Sequence, residues 1–341
     1  MQNKKVTHKR KVVAIVGPTA SGKTGIGVKL AKEFDGEIIS ADSRQVYRGL
    51  DLGTGKDLSE LSGVQYHMID IVDPGEKMTL FDYLPLARAA IEDILSRGKL
   101  PIIVGGSGLF VQGLVEGFEL VPAVISTPCE ARVEKSPNQR SLDKLEMTKK
   151  YTREQLNSAT IEQLNKKLLE LDPVIYENID HSNQHRLIRA IERSQEGLKP
   201  IKVKPNFEVL QIGLDIPREE LHARIDRRVD ERFEEGMLEE VEGLLEKGVS
   251  PDWLLGLGLE YREITQFVLG DAYNVLRGGD KDPNTSYGIR NTTEFQAMSQ
   301  ILKFKIHQFA RRQLTWFRRF PEIKWLSDYT EIKKLVQKLI I

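Results

Sequence analysis

Residues 12–24 decide the fold: Val12-Val13-Ala14-Ile15-Val16, then Gly17-Pro18-Thr19-Ala20-Ser21-Gly22-Lys23-Thr24. The apolar run reads as a strand buried on both faces, and the segment after it has the G-x-x-x-x-G-K-T spacing of a phosphate-binding loop that opens a helix. Glycines let backbone N–H groups turn inward around an anion with no Cβ in the way. The helix that begins at the end of this loop aims its positive dipole end at the same anion. Lys23 would neutralise phosphate oxygens, and the Thr24 hydroxyl could join the shell of a magnesium ion, Mg2+. Gly17, Thr19, Ala20, Ser21, Gly22, Lys23 and Thr24 are therefore the candidate phosphate-binding residues. Such a loop does not name a reaction, since kinases, ATPases, GTPases and diphosphate-handling transferases all share it.

Working outward, further apolar runs at Glu37 to Ser40, Tyr66 to Ile71, Pro101 to Val104 and Val209 to Leu214 read as strands. Helical patterns at Thr24 to Glu33 and Leu80 to Arg97 alternate with them. That alternation predicts an α/β fold with a parallel sheet flanked by helices, and places the loops after the strands along one edge. From Glu119 to about Asn183 no strand is evident, while Tyr151 to Leu171 carries apolar residues at helical spacing. We expect a catalytic core over residues 1–118, an inserted all-helical region over 119–195, and the rest of the core with basic C-terminal helices over 196–341. Pro122, Pro128 and Pro137 suggest an irregular start to the insertion. Pro217 opens a long amphipathic helix with Leu221, Ile225 and Val229 on one face, and a second helical section runs from about Glu294 to Phe320.

The composition limits the function classes. Fifty basic and fifty acidic residues cancel, so overall charge points to no polyanionic partner. A single cysteine, Cys129, excludes an internal disulfide and a multi-thiolate zinc site and suits a reducing, cytoplasmic setting. No apolar run approaches the roughly 20 residues of a membrane span. Lys4, Lys5 and His8 to Lys11 read as a solvated basic tail, and His67 and His222 as structural histidines.

The loop after the second strand reads Asp42-Ser43-Arg44-Gln45-Val46-Tyr47-Arg48-Gly49-Leu50-Asp51-Leu52-Gly53-Thr54-Gly55-Lys56, and the fourth strand ends in Gly105-Gly106-Ser107-Gly108. Two glycine-rich turns and one carboxylate on a single sheet edge suggest a diphosphate opposite a nucleophile that needs a base. These stretches, with Ile69-Asp70-Ile71-Val72-Asp73-Pro74, His185 to Glu192, Arg224 to Val241 and His307 to Arg319, resemble the bacterial tRNA dimethylallyltransferases in consistent order from about Lys11 to Leu326.

The resemblance implies a fold like that of the P-loop NTPases with an inserted tRNA-binding region. It further implies transfer of a dimethylallyl group from dimethylallyl diphosphate to N6 of the adenosine 3′ to the anticodon (position 37), by a monomer. Asp42 matches the family's general base. Ser107 stands where threonine is usual, its hydroxyl able to make the same bond to a diphosphate oxygen, and Arg224 matches an arginine credited with gripping the diphosphate. Asp42, Ser43, Arg44, Gln45, His185, Arg186, Arg189, Gln308, Arg311 and Arg312 match segments that meet tRNA at the anticodon stem-loop. The target base has to leave its stack to reach the prenyl carbon. This chain departs from the family pattern at Glu260, where glycine commonly precedes the tyrosine, at His307, where arginine is frequent, and at Asn284 to Thr292, a local insertion.

Charge distribution agrees with an RNA partner. Phe295 to Pro321 contains no acid but holds Lys303, Lys305, Arg311, Arg312, Arg318 and Arg319. The aromatic residues among them (Phe304, Phe309, Trp316, Phe317) read as the core face of the helix. Three other readings stay open here: a P-loop nucleotide or small-molecule kinase, an adenylate isopentenyltransferase acting on a free nucleotide, and a non-catalytic nucleic-acid-binding module that uses the loop as a nucleotide sensor.

Overall fold

The structure, a computed structural model, describes residues 10–56, 63–122, 151–270, 289–290 and 292–341. The tail residues Lys4, Lys5 and His8, together with Pro128, Cys129, Pro137 and most of the 284–292 segment, lie outside the described residues. The chain divides into two compact units, Met1–Gly117 with Val203–Ile341, and Phe118–Lys202.

In the first unit, strands β1 (Lys11–Val16), β2 (Gly36–Ser40), β3 (Tyr66–His67) and β4 (Leu100–Gly105) join two later ones in a six-stranded sheet. The strands Phe118–Pro122 and Leu198–Lys202 are β5 and β6, and β7 (Glu208–Leu214) and β8 (Lys324–Leu326) complete the sheet. Its order is β3-β2-β4-β1-β7-β8, and every pairing is parallel. β1 is central, with Ile15 opposite Val104 on one side and Ile212 on the other. That position explains its unbroken apolar sequence, since both faces are covered. Val13, Ile15, Ile102, Val104 and Ile212 pack under helix α1 (Lys23–Glu33) and the C-terminal Tyr329–Ile340 helix.

Helix α2 (Leu80–Ser96) buries Tyr83, Leu84, Ala87, Ile91 and Ile94. Thr79 starts it with a capping box to Asp82. Helix α3 (Gly108–Glu116) follows β4 directly.

The third strand is shorter than the sequence suggests. Met68 (φ 66°) and Asp70 (φ 55°) leave the extended region, so Tyr66 to Ile71 pairs only at Tyr66 and His67, and Val72 makes an isolated bridge to Tyr47. β8 has no expected counterpart; three residues are too few to show a period.

The second unit is helical with one correction. Its ends form a two-stranded antiparallel ribbon, β5 with β6, that pairs Leu120 with Pro200. Lys199, Pro200 and Lys202 hide this strand from a hydrophobicity reading, because its side chains are largely exposed. Helices Arg153–Asn157, Ile161–Leu171, Pro173–Glu177 and Gln184–Gln195 enclose Leu156, Leu164, Leu168, Leu187, Ile188 and Ile191. In the first unit, Gly117 and Val203 close the gap where the chain leaves and returns, the Val203 N–H donating to the Gly117 carbonyl at 2.8 Å.

Candidate active site

All the site elements of the first unit gather at the carboxyl ends of its parallel strands, where α/β sheets bind ligands. The phosphate loop leaves β1 with Gly17 at φ 151°, Ala20 at φ 61° and Gly22 at φ 83°. Gly22 is the N-cap of α1 and offers no side-chain cap, so the first N–H groups of that helix are left for an anion. Lys23 folds back over its own loop, its Nζ donating to the Pro18 carbonyl and lying 3.5 Å from Ser21 Oγ.

Thr19, Ala20, Lys23 and Thr24 line a cavity whose far wall is Asp42, Gln45 and Arg228. Gln313 closes it from the long Thr293–Phe317 helix. The Gln313 Oε1 accepts the Thr19 N–H at 2.8 Å, and its Nε2 donates to the Gly106 carbonyl at 2.8 Å. One buried amide thus ties the two glycine-rich turns together. Gly105 is needed here for close approach, since a Cβ at that position would stand 2.2 Å from the Ala41 carbonyl oxygen.

Asp42 sits at the end of β2 with Oδ1 accepting the Arg44 N–H at 2.9 Å. The loop behind it is fastened at several points. Buried Lys56 donates to the Tyr47 carbonyl and Asp51 and pairs with Asp70. Glu240 accepts the Asp51, Leu52 and Gly53 N–H groups at 2.8, 2.7 and 3.1 Å, and the Tyr261 hydroxyl at 2.7 Å. Burial, then the Glu240 charge, pushes the Tyr261 phenol well above its ordinary pKa, so it stays a donor.

A second cavity, of about 420 Å³, opens on the other side of Asp42. Ser43, Ser107, Arg262, Gln308 and Arg312 line it, and Asp42, Arg44 and Phe309 belong to both cavities. Ser107 Oγ accepts the Ser43 N–H at 3.1 Å. It therefore stands on this second side and not in the lining of the phosphate cavity. Arg44 is held by Glu260 at 2.5 Å, with side chains 13% and 6% exposed.

The remaining candidates divide. Arg224 pairs with Glu220 at 2.6 Å, and its guanidinium lies 3.8 Å from where a Cβ on Gly22 would stand. Arg228, one turn along the Arg218–Glu235 helix, lines the phosphate cavity itself. Its i+4 spacing from Arg224 was the available signal. Gln45 braces its own loop, its Nε2 donating to the Gly55 carbonyl at 2.9 Å. Gln308, Arg311 and Arg312 are exposed and, with Arg319, line a basic groove. In the second unit, His185, Arg186 and Arg189 occupy the exposed face of the Gln184–Gln195 helix, with Arg189 3.1 Å from Glu192.

Two expectations for the Thr293–Phe317 helix need correction. Lys303 and Lys305 are paired with Asp230 and Glu263 at 2.6 and 2.7 Å, so less of its charge faces outward than its acid-free sequence suggests. Its aromatics do not share a core face: Phe317 is 2% exposed, Phe304 is 61% exposed, and Phe309 and Trp316 are half-buried. His222 and His307 stack at 4.0 Å beside Asp226. Burial, with His307 next, pulls the His222 pKa down.

No cluster of three metal-ligating side chains occurs among the described residues. Asp42 is the one carboxylate among the described residues that lines the phosphate cavity, and Thr24 offers a hydroxyl there. That donor set fits a divalent ion that draws most of its ligands from phosphate oxygens and water.

The sequence model of the IPP transferase family matches residues 45–320, and that of isopentenyl transferase matches residues 10–70. The chain belongs to the IPP transferase family. It is similar to tRNA dimethylallyltransferase 2 of Shewanella sediminis, 40% identical over 328 residues and covering 94% of each chain. With the tRNA dimethylallyltransferase of Thermomicrobium roseum it is 38% identical, over 97% of this chain and 92% of that one. Among solved structures, the full-length tRNA isopentenylpyrophosphate transferase of Bacillus halodurans matches with a TM-score of 0.62 at 32% identity, over 97% of both chains. A eukaryotic dimethylallyltransferase acting on tRNA matches with a TM-score of 0.64 at 25% identity, over 93% of this chain and 73% of that one.

Proposed function

We propose that this enzyme transfers the dimethylallyl group of dimethylallyl diphosphate to N6 of adenosine 37 in tRNA. The observation that carries the reading is Asp42 as the shared wall of two cavities, one lined by a phosphate loop and the other by Ser107, Arg262 and Arg312. A kinase or an enzyme for free adenylate needs neither the exposed arginine groove nor an inserted unit of its own, and the family assignment points the same way.

In this reading the N6 lone pair attacks the prenyl C1, the C1–O bond breaks, and diphosphate departs towards Lys23, Arg228 and the loop amides. N6 gives up its proton to Asp42, which lies between the two substrates. Preorganised donors around the leaving group need no reorganisation as charge develops on it. Magnesium, held by Thr24 and the diphosphate oxygens, would supply further charge neutralisation. Gln308, Arg311 and Arg312 take RNA phosphates, and Ser43 and Ser107 face the target nucleotide. The Phe118–Lys202 unit, through His185, Arg186 and Arg189, holds the anticodon stem. The enzyme acts as a monomer in the cytoplasm, where unmodified tRNA is found.

The test is incubation with labelled dimethylallyl diphosphate, magnesium and an unmodified anticodon stem-loop, followed by nucleoside mass spectrometry. N6-isopentenyladenosine at the adenosine 3′ of the anticodon supports the reading. Label on free AMP but not on RNA, or ATP-dependent phosphorylation without prenyl transfer, would replace it.

A further inference from the structure

Glu260 has no part in the chemistry above, yet it is only 4% exposed and ends against the residue next but one to the base. The chain reaches it through Gly258 at φ 72° and Leu259 at φ 44°. A leucine in the left-handed region is disfavoured, and such conformations gather where the surrounding structure imposes them for function. This turn starts the Leu259–Val268 helix and lines the acceptor cavity, directing the Glu260 carboxylate onto Arg44 Nη1.

Arg44 is a permanent cation with little water to screen it, and it borders both cavities. Its guanidinium lies 6.0 Å from the Phe309 ring centroid, while its backbone N–H holds Asp42. The other carboxylate whose charge acts on Arg44 is that of Asp42. The further charges facing these cavities are Lys23 and Arg228 on the phosphate side, and Arg262, Arg312 and the Glu263–Lys305 pair on the acceptor side. If Arg44 paired with Asp42 through its side chain, it would occupy the oxygen meant for the N6 proton and lower its basicity.

We propose that Glu260 is a positioning residue that holds the Arg44 guanidinium off Asp42 and so keeps the base available. The inference rests on Asp42 acting as the base.

The test compares Glu260→Gln, the double variant Arg44→Gln/Glu260→Gln, and Asp42→Asn at saturating RNA and dimethylallyl diphosphate. Glu260→Gln should lose about 30-fold in kcat with both KM values within about twofold of wild type. The double variant should recover at least about tenfold of that loss in kcat at saturating RNA, with a raised tRNA KM because Arg44 itself lines the acceptor cavity, since no cation remains to sequester Asp42. A pair that merely stabilises the fold would leave the two variants equally impaired, or would change Tm at wild-type kcat; either result overturns the inference alone. An active Asp42→Asn would overturn the base assignment and the inference with it. Should Glu260→Gln fail to fold, Glu260→Asp, which keeps the charge on a shorter arm, should show a partial loss in kcat at unchanged KM. Wild-type kcat in that variant would count against the proposal.

Discussion

At the amino end of the sheet, Glu37 of β2 is 2% exposed and saturated with partners. Arg97 grips both of its oxygens, His67 Nε2 lies at 2.8 Å and Lys99 at 3.2 Å. At the carboxyl end of the same strand, Asp42 has the Arg44 backbone N–H on Oδ1, while the neighbouring guanidinium is turned onto Glu260. Both ends carry acids and bases in close quarters. One cluster is closed, each charge spent on another, and it serves the fold. The other keeps its opposite charges apart with backbone donors, a helix terminus and a second carboxylate. That separation leaves charge available to a substrate.

Removing a charge from the open end should therefore act on rate and binding, and removing one from the closed end should act on stability. Lys23→Ala should cost about 10³-fold in kcat/KM for dimethylallyl diphosphate while Tm stays within a few degrees, read by steady-state kinetics and calorimetry. A smaller effect is expected from replacing Phe118 to Lys202 with a short linker, since Gly117 and Val203 are already joined. The truncated core should bind dimethylallyl diphosphate normally and bind tRNA about 10²-fold more weakly. Loss of both activities would show that the two units do not separate in this way.

The closed end gives a pH signature. Chiefly through Arg97, the Glu37 carboxyl is pulled down from 4.5 to about 2. Because the folded-state value is the lower one, its stabilisation is complete above about pH 4.5 and is lost as pH falls from there towards 2. Denaturant titrations at pH 5 and pH 2.5 should differ by about 2 kcal/mol more in wild type than in Glu37→Gln. Identical pH dependence in the two proteins would contradict a stabilising role. The smallest effect belongs to Arg311→Ala, which should raise the tRNA KM a few-fold and lower the salt slope of binding by about one. An unchanged slope would remove Arg311 from the RNA surface.

The contrast also explains what could be read from the sequence. The phosphate side was legible because strand, loop and helix are contiguous from Val12 to Thr24, and a local motif needs no tertiary information. The acceptor side is assembled from residues near 42, 107, 258, 305 and 312, and the contact that shapes it, Arg44 with Glu260, joins points more than 200 residues apart. Gln313 sits in the resembling stretch from His307 to Arg319, yet nothing in its neighbours marks it as a link between two glycine turns. The basic helix misled for a related reason, since the acids that pair with Lys303 and Lys305 lie on other helices. β6 was missed because an exposed strand has no apolar face to show.

The central claim is that Asp42 is the base between a bound diphosphate and an adenosine. It is tested most directly by single-turnover prenyl transfer with wild type and Asp42→Asn, both saturated with dimethylallyl diphosphate and an anticodon stem-loop holding three consecutive adenosines. The variant should be slowed about 10³-fold while both substrates bind within about twofold of wild type. Transfer at the wild-type rate would contradict the claim and return the proton to another acceptor.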